Sequence, residues 1–285
     1  VKVFVSVDME GISGLVRWMD VASQGIDFER NRTLMTLDAN AAVEGAFEAG
    51  ATEVVVEENH GVEDLCVLRL DEIDPRCSVV RGAGRPGPTT MSALDESVDL
   101  VMLVGHHAAA ATWPGIMAHT VSSGRFAAVR LGDRQIGEPD MFIIRAGEVG
   151  APVGLITGDQ MVIEQVRKRV PNVEAVQVKR ALGRQSGEVI PPVRARESIR
   201  KAAARAVARA AERELTPYVD EPAPYSIEVD LLEPPNEAML ANLAGLPEFE
   251  LVSERTVATD APDMDLGFRR IAYLSYAHTP GVRRY

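Results

Sequence analysis

Residues 1–14 read VKVFVSVDMEGISG. The apolar, β-branched run Val1 to Val7 alternates little, which is the pattern of a parallel strand buried on both faces. It breaks at two carboxylates, Asp8 and Glu10, with Gly11 and Gly14 just after. Residues two apart on a strand point the same way, so these carboxylates are expected on one face. At the end of a buried strand they are costly unless something positive compensates them. A metal ion is a natural candidate, so further ligands are sought elsewhere in the chain.

Beyond this strand the pattern alternates between helices and strands. Phe28 to Ala49 reads as a helix with Leu34, Leu37, Ala41 and Ala42 on one side, and Thr52 to Val56 as a second strand ending in Glu57, Glu58, Asn59 and His60. A short helix is expected over 62–73 and a short strand over 77–80. The loop GAGRPGPTT from Gly82 then leads to a helix over 91–96. Leu100 to Val104 is the most apolar strand of this half and ends in Gly105, His106 and His107. A hairpin, 125–131 with 134–137, delivers Glu138 before Pro139 at a helix start. Pro152 to Thr157 is a strand followed by Asp159 and a helix, and 173–179 reads as the last strand of the sheet.

Such alternation predicts an α/β fold, a doubly wound and mostly parallel sheet. Near residue 180 the texture changes. A long Ala/Arg helix over 193–215 has Ile199, Ala203, Ala206 and Ala210 as its seam, and a Pro-marked break follows. A strand (225–231), a helix (237–243), a strand (249–258) and a closing helix (263–277) make a smaller α+β module. The expected division is a metal-binding catalytic domain over 1–182 and the smaller module over 183–285, a candidate contributor to assembly.

The chain has 285 residues, a net charge of -12 and two cysteines, Cys66 and Cys77. Its acidity disfavours nucleic acid and anionic membranes as partners and suits a ligand with a free ammonium. The cysteines lack CxxC spacing and read as structural thiols in a reducing compartment. The N-terminal run is too short for a signal peptide, and no apolar stretch approaches the ~20 residues needed to span a bilayer. A soluble, cytoplasmic protein is expected.

Ligands of open α/β sheets bind outside the carboxyl ends of the strands. Three strands here end in metal-capable side chains: Asp8 and Glu10, His60, and His107. Glu138 could close over that edge. Each alone has an ordinary structural reading, as a cap or a helix-start carboxylate. Together they are three carboxylates and two imidazoles, a set suited to one or two Zn²⁺, Mn²⁺ or Co²⁺ ions. His106 is expected to point away from His107. Asp159 is either a partner to a ligand or, more simply, a helix cap.

VSVDMEGISG, ENHG around His60, GHHAAAATWPGIMAHT from Gly105 and IGEPD around Glu138 together resemble the DppA-type D-aminopeptidases. LITGDQ and VKRALGRQSGEVIPPVRA extend the resemblance over nearly the whole chain. It implies a zinc-dependent exopeptidase assembled as a ring-stacked homodecamer, acting on a short peptide or amino-acid amide with an N-terminal D-residue. It further implies two zinc ions bridged by Asp8, with Glu10 and His107 completing one and His60 and Glu138 the other. His119 is the implied catalytic residue. Two departures stand out: the segment from His107 to His119 is one residue longer around Trp113, and EENH replaces an NDSH-like stretch. Competing readings are a two-metal amidohydrolase or phosphoesterase, and a non-catalytic, metal-stabilised assembly protein.

Overall fold

The computed structural model describes residues 1–85 and 90–280. In chain order the strands are β1 (Lys2–Val7), β2 (Glu53–Glu58), β3 (Ser78–Val80), β4 (Leu100–Val104), β5 (Phe126–Leu131), β6 (Arg134–Gln135), β7 (Val153–Asp159), β8 (Glu174–Gly183), β9 (Ser186–Val189), β10 (Tyr225–Leu231), β11 (Glu250–Leu251) and β12 (Thr256–Ala261). The helices are α1 (Trp18–Val21), α2 (Phe28–Glu48), α3 (Glu138–Glu148), α4 (Gln160–Arg167), α5 (Pro192–Ala211), α6 (Glu237–Leu243) and α7 (Met264–Tyr276).

The larger sheet has the order β3-β2-β1-β4-β7-β8-β9 and is parallel except for its edge strand β9. Strand order reverses between β1 and β4, so the crevice at a switch point opens beyond Val7 and Val104. Burial alternates as the pleat requires. Val3, Val5 and Val7 pack with Met102, Val104 and the helices α2 and α5, whereas Phe4, Val101 and Leu103 face the side of α3 and α4. Helices therefore cover both faces, and the doubly wound expectation holds. The buried stripe of α2 is Met35, Ala39, Ala42 and Ala46, not the expected face with Leu34 and Leu37, which are only half-buried. Small residues on that stripe let α5 approach closely through Ala202, Ala203 and Ala206.

A second, antiparallel sheet has the order β11-β12-β10-β5-β6. The two sheets do not divide the chain at residue 182. β5 comes from the first half of the chain but pairs with β10, carrying β6 at its outer edge, while β9 and α5, beyond residue 182, complete the first sheet. Strand 173–179 is accordingly not the last of its sheet. The run expected as one strand over 249–258 is two, because residues 253–256 turn with Val252 N–H donating to the Thr256 carbonyl at 2.9 Å.

Neither short helix expected between β2 and β4 forms as read. Residues 63–65 make a single 3₁₀ turn, with Asp64 in the left-handed region, and 91–96 are turns. The buried carboxylates at the end of β2 explain this. Glu58 accepts the backbone N–H groups of Val67 (2.5 Å) and Leu68 (3.1 Å), and Glu57 those of Ser92 (3.0 Å) and Ala93 (2.9 Å). Within 62–73 the Val67 and Leu68 donors so bound are lost to a helix. Of the loop from Gly82, residues 86–89 lie outside the described residues.

The turn after β1 is tied to the helical layer through Asp38 of α2. Its carboxylate accepts from Ser13 N–H and Oγ, both at 2.9 Å, and from Arg196 Nε of α5 at 3.2 Å. Burial outweighs these bonds and raises its pKa from 3.8 to about 6. A raised carboxyl pKa favours the fold while the group is protonated, and that contribution is lost as pH rises through the folded value. The unfolding free energy of the wild type relative to Asp38→Asn should be largest below pH 4 and fall by on the order of 3 kcal/mol by pH 6. Denaturant titrations across that range check this, and a flat difference would contradict it.

Candidate metal centre

Asp8 and Glu10 sit just past β1 in a turn stitched backbone to backbone onto the end of β4. Asp8 N–H donates to the Val104 carbonyl (2.9 Å) and Gly11 N–H to the Gly105 carbonyl (2.6 Å). A Cβ at Gly11 would overlap the His106 carbonyl, and one at Gly105, where φ is +72°, would overlap the Asp8 carbonyl. Only glycine permits that approach. Asn59 N–H then donates to the Val7 carbonyl at 2.9 Å, which brings His60 alongside.

Six buried side chains meet here, in two groups whose ligand atoms lie within 4.8 Å of one another: Asp8, Glu10 and His60, and His107, His119 and Glu138. His60 Nδ1 is 2.9 Å from Glu10 Oε2 and 3.6 Å from Asp8 Oδ1. His107 Nε2 is 3.3 Å from Asp8 Oδ2 and 3.5 Å from Glu138 Oε1. Asp8 thus turns one oxygen to each group. The two remaining carboxylates pair differently from the division implied by the resemblance: Glu10 goes with His60, and Glu138 with His107. The path of the turn after Val7 decides this, and spacing along a strand does not carry it.

The donor set fits divalent metal. Each imidazole donates its outer N–H to a backbone carbonyl: His60 Nε2 to Val21 (2.9 Å), His107 Nδ1 to Ala108 (3.0 Å) and His119 Nδ1 to Met117 (2.9 Å). Their inner nitrogens face carboxylates, an arrangement typical of metal-ligating histidines. Asp8 Oδ2 is buried without a hydrogen-bond partner. Either a proton or a cation must lie between these facing lone pairs.

Where no cation lies there, a proton would take that place. Burial opposes charge on His60 and His107, but the carboxylates beside them prevail and hold both well above the usual imidazole range. Burial likewise opposes ionisation of Asp8 and Glu138. Their histidine contacts prevail, keeping Asp8 well below the usual range and Glu138 at about 2. His119 behaves otherwise: burial and the neighbouring His107 lower its pKa, so it stays neutral. Its ring stacks on His107 at 4.0 Å and meets the edge of Trp18 at 5.4 Å. The loop bearing it carries strain, with Met117 and the β-branched Val121 at positive φ. Val121 N–H is held by Glu138 Oε1 at 2.8 Å.

His106 points away from the groups, with Nε2 3.0 Å from Ser6 Oγ and Nδ1 4.0 Å from Asp8 Oδ2. Asp159 caps α4, accepting from Met161 and Val162 N–H, and does not touch the cluster. Three contributors escaped the sequence reading. Asn59 donates to Glu138 Oε2 at 3.2 Å, Trp18 walls His119, and Lys179 is buried behind Glu10. Asn59 lay in the quoted ENHG segment; Lys179 stood in an alternating strand where a surface position is expected. Cys66 and Cys77 are both free. A cavity of about 520 Å³ opens over the cluster, walled on its far side by Phe268, Ala272 and Tyr276 of α7. Among the described residues no helix is long and apolar enough to cross a membrane.

The D-aminopeptidase family model matches residues 1–272. A D-aminopeptidase of Bacillus subtilis (strain 168) is 32% identical over 197 residues, spanning 68% of this chain and 69% of the relative. A solved structure described as the Zn-dependent D-aminopeptidase DppA from Bacillus subtilis, a self-compartmentalizing protease, is similar with a TM-score of 0.87. It is 26% identical and covers 99% of this chain and 100% of its own.

Metal held by His60 and His107 would have to displace any protons they carry, so binding should release protons and tighten as pH rises. Calorimetric titration of the metal-free protein with Zn²⁺, in buffers of differing ionisation enthalpy, measures that release. Asp8→Ala should lose metal from both groups, whereas Glu10→Ala should spare the His107–Glu138 group; equal losses in the two variants would contradict the geometry.

Proposed function

Because this chain belongs to the D-aminopeptidase family, we propose that it is a zinc-dependent aminopeptidase removing an N-terminal D-residue, such as D-Ala, from short peptides or amides. The observation that carries the reading is the carboxylate of Asp8 shared between two ligand groups, which suits two zinc ions per subunit. Asp8, Glu10 and His60 would hold one ion, and Asp8, His107 and Glu138 the other. Zinc so held supplies Lewis-acid polarisation of the scissile carbonyl and a water acidified to about pKa 7.

The protein's own groups do the rest. His119, neutral and with its Nε2 lone pair facing the cluster 4.0 Å from Glu138 Oε1, is placed to take a proton from the attacking water and pass it to the leaving amine. Its bond to the Met117 carbonyl fixes the tautomer this requires. Carboxylates at the cavity floor attract the substrate's ammonium. The volume above them accommodates a short peptide, and Trp18 with the α7 wall limits the approach of bulk water. The D preference rests on family membership.

Assembly as a homodecamer in the cytoplasm completes the reading. The self-compartmentalizing character of the similar B. subtilis structure supports a closed oligomer, and the free cysteines suit a reducing compartment.

His119→Ala should keep its zinc and lose turnover by about 10²–10⁴-fold, the usual worth of a positioned acid–base group. Zinc content measured beside the rate of D-Ala amide hydrolysis decides it, and unchanged turnover would remove His119 from the mechanism. A panel of D- and L-aminoacyl amides and phosphate esters tests the substrate class: cleavage of esters alone overturns the peptidase reading. Light scattering should give about ten times the 30.8 kDa chain mass, and a monomer would refute the assembly.

A further inference from the structure

Lys179 lies on β8, where burial alternates with the pleat: Val176 and Val178 are buried and Gln177 is exposed. Continued alternation would send Lys179 to solvent, yet it is 1% exposed. The β7–β8 register shifts between Gly158 and Asp159, so that Asp159 pairs with Lys179. Such an irregularity re-aims a side chain, and these features gather near functional sites. The ammonium donates to three main-chain carbonyls of the turn after β1: Glu10 (2.5 Å), Leu15 (2.6 Å) and Ile12 (3.0 Å). Three acceptors match the three N–H donors of a charged lysine. A neutral amine would leave one carbonyl unpaired.

The carbonyls of residues 10, 12 and 15 therefore converge as they would on a bound cation, and Lys179 supplies that cation from the neighbouring strand. We propose that Lys179 is a positioning residue for the metal centre, a built-in cation that sets the Glu10 main chain and through it the position formed by Glu10 and His60. The proposal rests on the two-ion reading above. It separates the two metal positions. The His107–Glu138 group is carried by β4 and α3 and accepts no bond from the ammonium, whereas the Glu10 carbonyl does. Asp8 keeps its own anchor, the N–H bond to Val104. Loss of the ammonium should thus weaken one ion selectively.

The decisive variants are Lys179→Met, which keeps the stem and removes all three donors, and Lys179→Ala, which leaves a hole for a small cation. Zinc per folded chain is measured by elemental analysis after dialysis, Co²⁺ substitution is followed by visible absorption, and the fold by circular dichroism. Lys179→Met should bind zinc at least tenfold more weakly at one position and normally at the other. Lys179→Ala should regain the weak ion on addition of ethylammonium, and not of ethanol. Full zinc at unchanged affinity in Lys179→Met, or equal weakening of both ions, overturns the proposal. If neither variant folds, Lys179→Gln, which removes the charge and keeps only two donors, carries the test: selective weakening supports the role, and wild-type affinity at both positions refutes it. A wild-type chain that binds no zinc would instead defeat the two-ion reading itself.

Discussion

The carboxylate of Asp8, held between His60 and His107 in the interior, is the constraint on which the architecture turns. An ionised carboxylate in a buried strand end is tolerated only with opposite charge or metal at hand. That charge comes from side chains far apart in sequence, so β2 and β4 must flank β1 and end at the same level. The parallel pairing of β1 with both strands does this, Val7 lying level with Glu58 on one side and Val104 on the other. Apolar burial drives the sheet together; the arrangement of charge decides what its carboxyl edge can hold.

Much of this was legible in the chain. Fully apolar runs such as Leu100 to Val104 have one stable location, the centre of a covered sheet, and metal-capable residues at their ends follow them there. The extents of Tyr225–Leu231 and Glu237–Leu243 matched because both are locally consistent in propensity and caps, with Asn236 capping the latter helix. What escaped depends on partners distant in sequence. A hairpin such as 126–135 looks the same whichever sheet it joins, and helical spacing over 62–73 does not reveal that a carboxylate has already taken its N–H groups. The pairing of Glu10 with His60 depends on a turn, and the burial of Lys179 on a bulge in the strand register.

The second sheet bears on the first through the cavity. α7 closes one wall over candidate ligands set by β1, β2 and β4 of the first sheet. Glu138 is set by the α3 start that follows the β5–β6 hairpin of the second, so both sheets contribute to the centre and its roof. Glu57 and Glu58 act on a further wall, fixing the turns after β2 and before β4. Chemistry and access are thus built from separate elements. The wall can be reshaped without moving the candidate ligand atoms.

The close crossing of Gly11 over His106, and of Gly105 over Asp8, has a consequence for the choice of ion. With main chain lying directly on main chain, the span between the two ligand groups has little room to stretch, because any expansion must break short backbone bonds before it moves a side chain. Ions that accept a compact, low-coordinate environment fit such a frame. Larger ions that demand six or more oxygens would have to prise the strand ends apart. Discrimination between metals would then come from the stiffness of two glycine crossings, with the identity of the ligands setting only the broad class of ion.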